Sequence, residues 1–175
     1  MDIYFLRHAS AGHYSPAGND DKRPIDKTGE QQCHDVGCAL SALELKLDVI
    51  ISSPLTRAMQ TAEIAASELG HKDKIVIDGA LRPEASYEEF KDLLARYGKK
   101  KAIMVVGHNP SMTDFLNRML AGDSAEFIDF KKGAVAKVER DGRQPAMLKW
   151  CMPPKVVRAI QQASASSSRP KTVSK

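Results

Sequence analysis

Short runs of strand-forming residues that break off into polar, chemistry-bearing segments and then into stretches of helical period constrain this chain more than any other feature. Ile3-Tyr4-Phe5-Leu6 passes into Arg7-His8-Ala9, Asp48-Val49-Ile50-Ile51 into Ser52-Ser53-Pro54, and Ala102-Ile103-Met104-Val105-Val106 into Gly107-His108-Asn109-Pro110. Apolar runs of this length bounded by turn-forming residues read as buried strands. Their alternation with helices predicts a mainly parallel sheet covered on both faces, a three-layer α/β/α sandwich. Open sheets of this kind bind ligands outside the carboxyl ends of their strands, so Arg7, His8, Arg57 and His108 are expected to share one edge.

The helices follow from period. Thr28-Gly29-Glu30-Gln31 resembles a capping box and precedes Val36, Leu40, Leu43 and Leu47 on one stripe, while Ala58, Ala62, Ala65 and Leu69 repeat the spacing. Ser86 and Glu89 open a third helix carrying Phe90, Leu93, Leu94 and Tyr97, and a fourth holds Met112, Phe115, Leu116, Met119 and Leu120. Lys74 to Ile77 reads as a short strand. Ala134 to Glu139 and Ala146 to Trp150, on either side of Asp141-Gly142, read as a hairpin that adds an antiparallel component.

Ser53 with Pro54, and Asn109 with Pro110, have the residue types of helix starts. A helix N-terminus offers unpaired N–H groups and the positive end of a dipole, and each strand exit delivers a cation or an imidazole, so an anion between them is favoured by charge and geometry. Taken singly, Arg57 in a first turn is an ordinary exposed arginine and His108 an ordinary cap-region histidine. Their combination with Arg7-His8 makes the case for phosphate chemistry. His13, His34 and His71 lack that setting and are expected at the surface or in packing.

Leu6-Arg7-His8, Ser53-Pro54 with Arg57 and Thr61, and Gly107-His108-Asn109-Pro110 resemble the motifs of the histidine phosphatase superfamily, whose fold is phosphoglycerate mutase-like. Their order and spacing are similar to those of the SixA-type phosphohistidine phosphatases. Arg23-Pro24-Ile25 before Thr28-Gly29, Leu81-Arg82-Pro83, and Trp150-Cys151-Met152-Pro153 resemble further segments of that subfamily, and the likeness spans roughly residues 1 to 160. It implies a covalent phosphoryl enzyme on His8, phosphate contacts from Arg7, Arg57 and His108, an additional contact from Arg23, and no metal or cofactor. The chemistry agrees: a neutral imidazole is a nucleophile at physiological pH, and arginine offers paired, fixed donors to phosphoryl oxygens.

Many superfamily members place a glutamate two residues after the leucine that follows the third strand, where it protonates an alcohol leaving group. Leu81-Arg82-Pro83 has proline there. Glu84, one residue further on, is the alternative acid if its loop brings it in; otherwise it is a solvated surface carboxylate. An alkoxide needs general-acid help worth about 10²–10⁴-fold, whereas an imidazole titrates near neutrality and leaves without it. The proline therefore favours phosphohistidine, carried on a partner protein, as substrate. The short stretch between Arg57 and His108 leaves little chain for a lid, which agrees with a protein substrate and with hydrolysis rather than mutase chemistry. The competing readings are a phosphatase of small phosphomonoesters using Glu84 and a phosphate-binding module with negligible turnover.

Composition bounds the rest. A chain of 175 residues with 42% hydrophobic content buries one good core, expected here over residues 1–160. No apolar stretch approaches the ~20 residues that cross a bilayer, and Met1-Asp2 enters a strand directly, so a cytoplasmic protein without membrane contact is expected. The net charge of +4 owes three charges to Arg169, Lys171 and Lys175, and aromatic residues are few at 6%, which disfavours nucleic acid. The stretch from Ala163 to Pro170 has the composition of a flexible tail, expected over 161–175. Cys33 and Cys38 lie about 140° apart around a helix and make a poor chelate with His34.

Overall fold

The computed structural model describes residues 1–122, 128–142 and 145–167. Its core is a six-stranded sheet of β1 (Asp2–Arg7), β2 (Val49–Ser52), β3 (Val76–Ile77), β4 (Ala102–Gly107), β5 (Val135–Glu139) and β6 (Met147–Met152), in the order β3-β2-β4-β1-β5-β6. The pairs β2–β3, β2–β4 and β1–β4 are parallel, and β1–β5 and β5–β6 are antiparallel. The expected hairpin is therefore the antiparallel part. The helices are α1 (Lys27–Ala42), α2 (Thr56–Glu68), α3 (Tyr87–Arg96), α4 (Ser111–Ala121) and α5 (Pro154–Ser167).

The three layers follow from the two-residue period of the strands. Ile3 and Phe5 of β1, Ile51 of β2 and Ile103 and Val105 of β4 face one way and pack with Phe90 and Leu93 of α3 and Met112 and Phe115 of α4. Tyr4, Leu6, Ile50, Met104 and Val106 face the other way, against Val36 and Leu40 of α1, Ala58, Ala62 and Ala65 of α2, and Val157 of α5. Alanines at the α2 contact let that helix lie close to the sheet. On the opposite face Phe90 and Phe115 stack at 4.4 Å between centroids, with Phe5 tilted against Phe90 at 5.6 Å.

Register then sets the site. Arg7 pairs with Gly107, and Ser52 with Val106, so β1, β4 and β2 end side by side at the same edge. Backbone bonds tie the exits together: His8 N–H donates to the Gly107 carbonyl (2.9 Å) and Ser53 N–H to the Val106 carbonyl (2.9 Å). Gly107 has no room for a side chain, because a Cβ would sit 2.9 Å from Met112 Sδ and 3.0 Å from the Leu81 carbonyl oxygen. That close approach brings the Leu81–Pro83 turn up to the β4 exit.

Several local expectations are corrected. Helix α1 is capped by Asp26, whose carboxylate accepts from Gly29 N–H at 2.8 Å, not by Thr28. It ends at Ala42, leaving Leu43 exposed, because the apolar stripe continues into a turn. Helix α2 starts at Thr56 rather than at Pro54, and α4 at Ser111, with Leu55 and Pro110 in the cap positions and no side-chain cap bond at either. The hydroxyl of Ser53 and the amide of Asn109 are engaged elsewhere, as described below. The capping box of Ser86 and Glu89 forms as expected.

The expected boundary at 160 falls inside α5, which runs to Ser167. Alanine favours helix, and the helix is docked by Arg158 Nε on Asp35 Oδ2 (3.0 Å) and by Gln161 Nε2 on the Asp35 carbonyl oxygen (2.9 Å). Residues 168–175 of the expected tail lie outside the described residues. No helix among the described residues is long and apolar enough to cross a membrane.

Candidate active site

The His8 ring projects from the β1 exit and is buried, 6% exposed. Its Nδ1 lies 2.7 Å from the Ala9 carbonyl oxygen. A carbonyl oxygen only accepts, so Nδ1 carries the proton and Nε2 keeps its lone pair. The following residue is held by α2: Ala9 N–H donates to Thr61 Oγ1 (3.1 Å), whose hydroxyl donates to the Arg57 carbonyl oxygen one turn earlier (2.7 Å).

His108, at the β4 exit, is 1% exposed and its ring centroid lies 4.9 Å from that of His8. Its Nε2 lies 2.8 Å from Ser53 Oγ. Ser53 Oγ accepts from Leu55 N–H (3.4 Å); with its own proton donated to Nε2, the remaining proton of the neutral ring sits on Nδ1. That Nδ1 is buried without a partner.

The arginines complete the cluster. Arg7 donates from Nη1 to the Phe130 carbonyl oxygen (2.7 Å), which also accepts from Asn109 Nδ2 (3.1 Å). Arg57, its side chain 5% exposed, donates from Nη1 to the Asp20 carbonyl oxygen (2.9 Å) and pairs through Nη2 with Asp20 Oδ2 (3.1 Å). The Nε of both arginines is buried and has no partner among the described residues. Burial pulls both guanidinium pKa values down, opposed by Asp129 at Arg7 and by Asp20 at Arg57, and both side chains stay cationic.

Arg7, His8, Arg57 and His108 are thus brought together. Arg23 is adjacent but differently engaged: Nε binds Asp20 Oδ1 (2.8 Å), and Nη1 donates to the carbonyl oxygens of Gly12 (3.1 Å) and Ala11 (3.4 Å). Among the described residues only its Nη2 is uncommitted. Glu84 has an exposed side chain, lies 3.8 Å from Arg82 and bonds to neither histidine. It lines a cleft of about 750 Å³ beside the His108 exit, together with Pro83, Asn109, Ser111, Thr113 and Asp114. His34 lies outside the cluster, its Nδ1 2.7 Å from Glu68 Oε1. Cys33 is buried, Cys38 exposed and Cys151 half-buried, all as free thiols.

Sequence reasoning missed three participants. Asp20 holds Arg57. Arg82, paired with Asp21 through Nη1 at 3.3 Å, adds its charge to those acting on His108. The carbonyl of Phe130, far along the chain, receives both Arg7 and Asn109. Asp20 sits three residues before Arg23, a spacing that suits an ion pair in a tight turn; Arg82 lies in the Leu81-Arg82-Pro83 segment, and Phe130 carries no sequence signal.

Burial holds the His8 imidazole down to about 4, helped by the charges of Arg57, Arg7 and Lys132 and opposed by the bond to Ala9. Burial likewise holds His108 down to about 2, followed by the charges of His8, Arg57, Arg7 and Arg82. Both rings are therefore neutral from pH 8 to pH 5. The unfolded chain, with histidine pKa values near ~6.5, takes up these protons first as pH falls. Stability is accordingly full above that value and is lost as pH falls, by roughly 1.4 kcal/mol per pH unit for each histidine, down to about 4 for His8 and on to about 2 for His108. Imidazole NMR titration should show no protonation of either ring between pH 8 and 5, and denaturant melts should show the matching loss; a His8 midpoint at 6.5 contradicts the expectation.

A cluster of neutral imidazoles and buried guanidinium donors, with the lone pair of His8 Nε2 among them, suits nucleophilic attack on a tetrahedral oxyanion. The family model of the histidine phosphatase superfamily (branch 1) matches residues 3–93. An uncharacterized protein of Picosynechococcus sp. is 32% identical over 138 residues, covering 77% of this chain and 82% of that protein. Among solved structures, the protein histidine phosphatase SixA complexed with tungstate superposes with a TM-score of 0.80 at 21% identity, over 89% of this chain and 98% of that one. The phosphohistidine phosphatase SixA assigned in Agrobacterium tumefaciens gives 0.74 at 25% identity, over 87% and 98%. The same fold serves other substrates: the alpha-ribazole phosphatase from Shigella flexneri superposes with a TM-score of 0.70 at 17% identity, over 88% and 97%.

Proposed function

The chain belongs to the histidine phosphatase superfamily and is a phosphatase, and from that premise we propose that it hydrolyses phosphohistidine carried on a partner protein. The observation that carries the mechanism is the set of buried donors without partners among the described residues, Arg7 Nε, Arg57 Nε and His108 Nδ1, on the residues whose ring or charge acts on His8. Buried polar groups are nearly always hydrogen-bonded, so three orphans in one cluster ask for an acceptor-rich ligand such as a phosphoryl group.

In this reading His8 Nε2 attacks phosphorus and a P–N bond to the enzyme forms as the P–N bond of the substrate breaks. The substrate imidazole leaves with a proton from solvent. Water then attacks phosphorus, the bond to Nε2 breaks and inorganic phosphate departs. Arg7, Arg57 and His108 Nδ1–H hold the negative charge that spreads over the phosphoryl oxygens at each transition state. Neutral His8 is ready without a base, which is why its depressed pKa serves the reaction.

The substrate class rests on the leaving group. Pro83 occupies the place of an acid and Glu84 is solvated against Arg82, which supports a substrate whose leaving nitrogen needs no strong acid. The open cleft beside His108 supports a ligand presented on a larger molecule. The SixA structures, named for histidine phosphatase activity, support the same class. We place the protein in the cytoplasm, in a signalling role opposite a phosphotransfer protein; its free thiols agree with a reducing compartment.

The discriminating assay compares phosphate release from a phosphohistidine protein with that from a panel of phosphomonoesters, for the native enzyme and Glu84→Gln. On phosphohistidine the substitution should change kcat/KM by less than about tenfold. A hundredfold loss there, or a strong native preference for an alkyl phosphate, would instead identify a small-molecule phosphatase with Glu84 as acid.

A further inference from the structure

Arg57 is a buried guanidinium that Asp20 meets in a way that divides its donors. The Asp20 carbonyl oxygen accepts from Nη1 (2.9 Å) and its carboxylate from Nη2 (3.1 Å), so Asp20 grips the guanidinium from its end. The side edge, where Nε–H lies beside the second Nη2–H, is left over, and Nε is buried without a partner. That edge is a two-donor fork of the kind that matches a phosphoryl oxygen pair.

The other carboxylate oxygen of Asp20 binds Arg23 Nε (2.8 Å), and Arg23 in turn is tied to the Gly12 and Ala11 carbonyl oxygens in the loop that leaves β1. Asn19 steadies the turn, its Oδ1 accepting from Asp21 N–H (3.0 Å). One carboxylate thus bridges two arginines, one from α2 and one from the loop, and links the β1 exit to the β2 exit.

We propose that Asp20 is a positioning residue: it holds Arg57 end-on so that the Nε–Nη2 edge faces the phosphoryl group, and it keeps Arg23 as a brace behind that edge. This rests on the reading of Arg57 as a phosphoryl-binding group. The alternative for a carboxylate so placed is a competitor that lies on the cations until phosphate displaces it. The two make opposite predictions. A competitor's removal leaves a more positive pocket and tighter anion binding, whereas removal of a positioning carboxylate leaves Arg57 held only by the main-chain carbonyl of residue 20, lets it pivot about that bond and weakens binding.

The test measures tungstate and inorganic phosphate affinity, with kcat and KM on a phosphohistidine protein, for the native chain, Asp20→Ala, Asp20→Asn, Arg57→Ala and Arg57→Ala with Asp20→Ala. Asp20 is an exposed turn residue, and thermal melts check that each variant is folded. Asp20→Ala should weaken tungstate binding and lower kcat/KM by about tenfold or more, as loss of a supporting contact does elsewhere. Asp20→Asn, which keeps an acceptor oxygen, should recover part of that loss. In the Arg57→Ala background the second substitution should change affinity by less than twofold, since the two act through one another. Side-chain ¹⁵N NMR should show faster exchange of Arg57 Nε–H in Asp20→Ala, a change that a general loss of stability does not produce selectively.

Tighter tungstate binding in Asp20→Ala, or an equal loss in the presence and absence of Arg57, overturns the positioning role. If Arg57→Ala itself leaves anion affinity unchanged, the reading of Arg57 fails first, and the two failures are thereby distinguished.

Discussion

Replacing His8 with alanine should lower turnover by about 10⁴-fold or more, because it removes the atom to which the phosphoryl group is transferred rather than one of several groups that stabilise it. The ring is held for this single use. Its Nδ1 proton is committed to the Ala9 carbonyl oxygen at 2.7 Å, and burial with nearby cations keeps Nε2 unprotonated. Rapid quenching of the native enzyme with labelled substrate should trap an acid-labile, base-stable adduct on His8, absent from His8→Ala. The fold should survive, since His8 lies past the end of β1 and its backbone bond to Gly107 does not involve the ring. Near-normal turnover in His8→Ala would exclude the covalent route. A protein that merely binds phosphate would show neither adduct nor dependence on His8.

The second large effect is expected at Arg57. Arg57→Ala should reduce kcat/KM by about 10²–10³-fold, the range for loss of one fixed donor to a developing oxyanion. Arg57→Lys should restore only part of it, because an ammonium cannot keep the grip on Asp20 while presenting a parallel pair of donors to the phosphoryl group. The substitution also leaves Asp20 without the guanidinium that its carbonyl and carboxylate share, so the turn at Asp20–Lys22 should loosen. Single-turnover kinetics separate these consequences. Loss in the phosphoryl-transfer step with the adduct still forming on His8 is the expected pattern, and unchanged kcat/KM in Arg57→Ala would remove the arginine from the mechanism.

Much of the fold and the centre of the candidate site were legible beforehand. The strand runs, the helical stripes on α2, α3 and α4, and the Ser86–Glu89 cap are set by neighbours within a few residues, and the structure follows them. Leu43 is an instructive miss: the stripe of α1 predicts it inside, yet the helix stops at Ala42 and Leu43 lies on the surface. Glu84 shows the reverse. Its one-residue displacement by Pro83 was visible in the chain, but that it lies out against Arg82 was not.

By itself the sequence determined which residues stand at the strand exits, because period-two burial and breaking residues are local properties that place Arg7-His8 and Gly107-His108 at the carboxyl ends of β1 and β4. It also determined the chemistry available there, since an imidazole and a guanidinium bring the same donors and lone pairs wherever they sit. Tertiary structure decided how those groups are divided among partners. Ser53 and Asn109 have the composition of helix caps, yet the Ser53 hydroxyl bonds His108 and the Asn109 amide bonds the Phe130 carbonyl oxygen. Asp20, in a turn that resembles any exposed acidic loop, was assigned to Arg57 across 37 positions of chain. A short polar side chain has several partners within reach, each bond is worth only about 1 kcal/mol net, and the choice goes to whichever group packing has already buried and would otherwise leave unpaired.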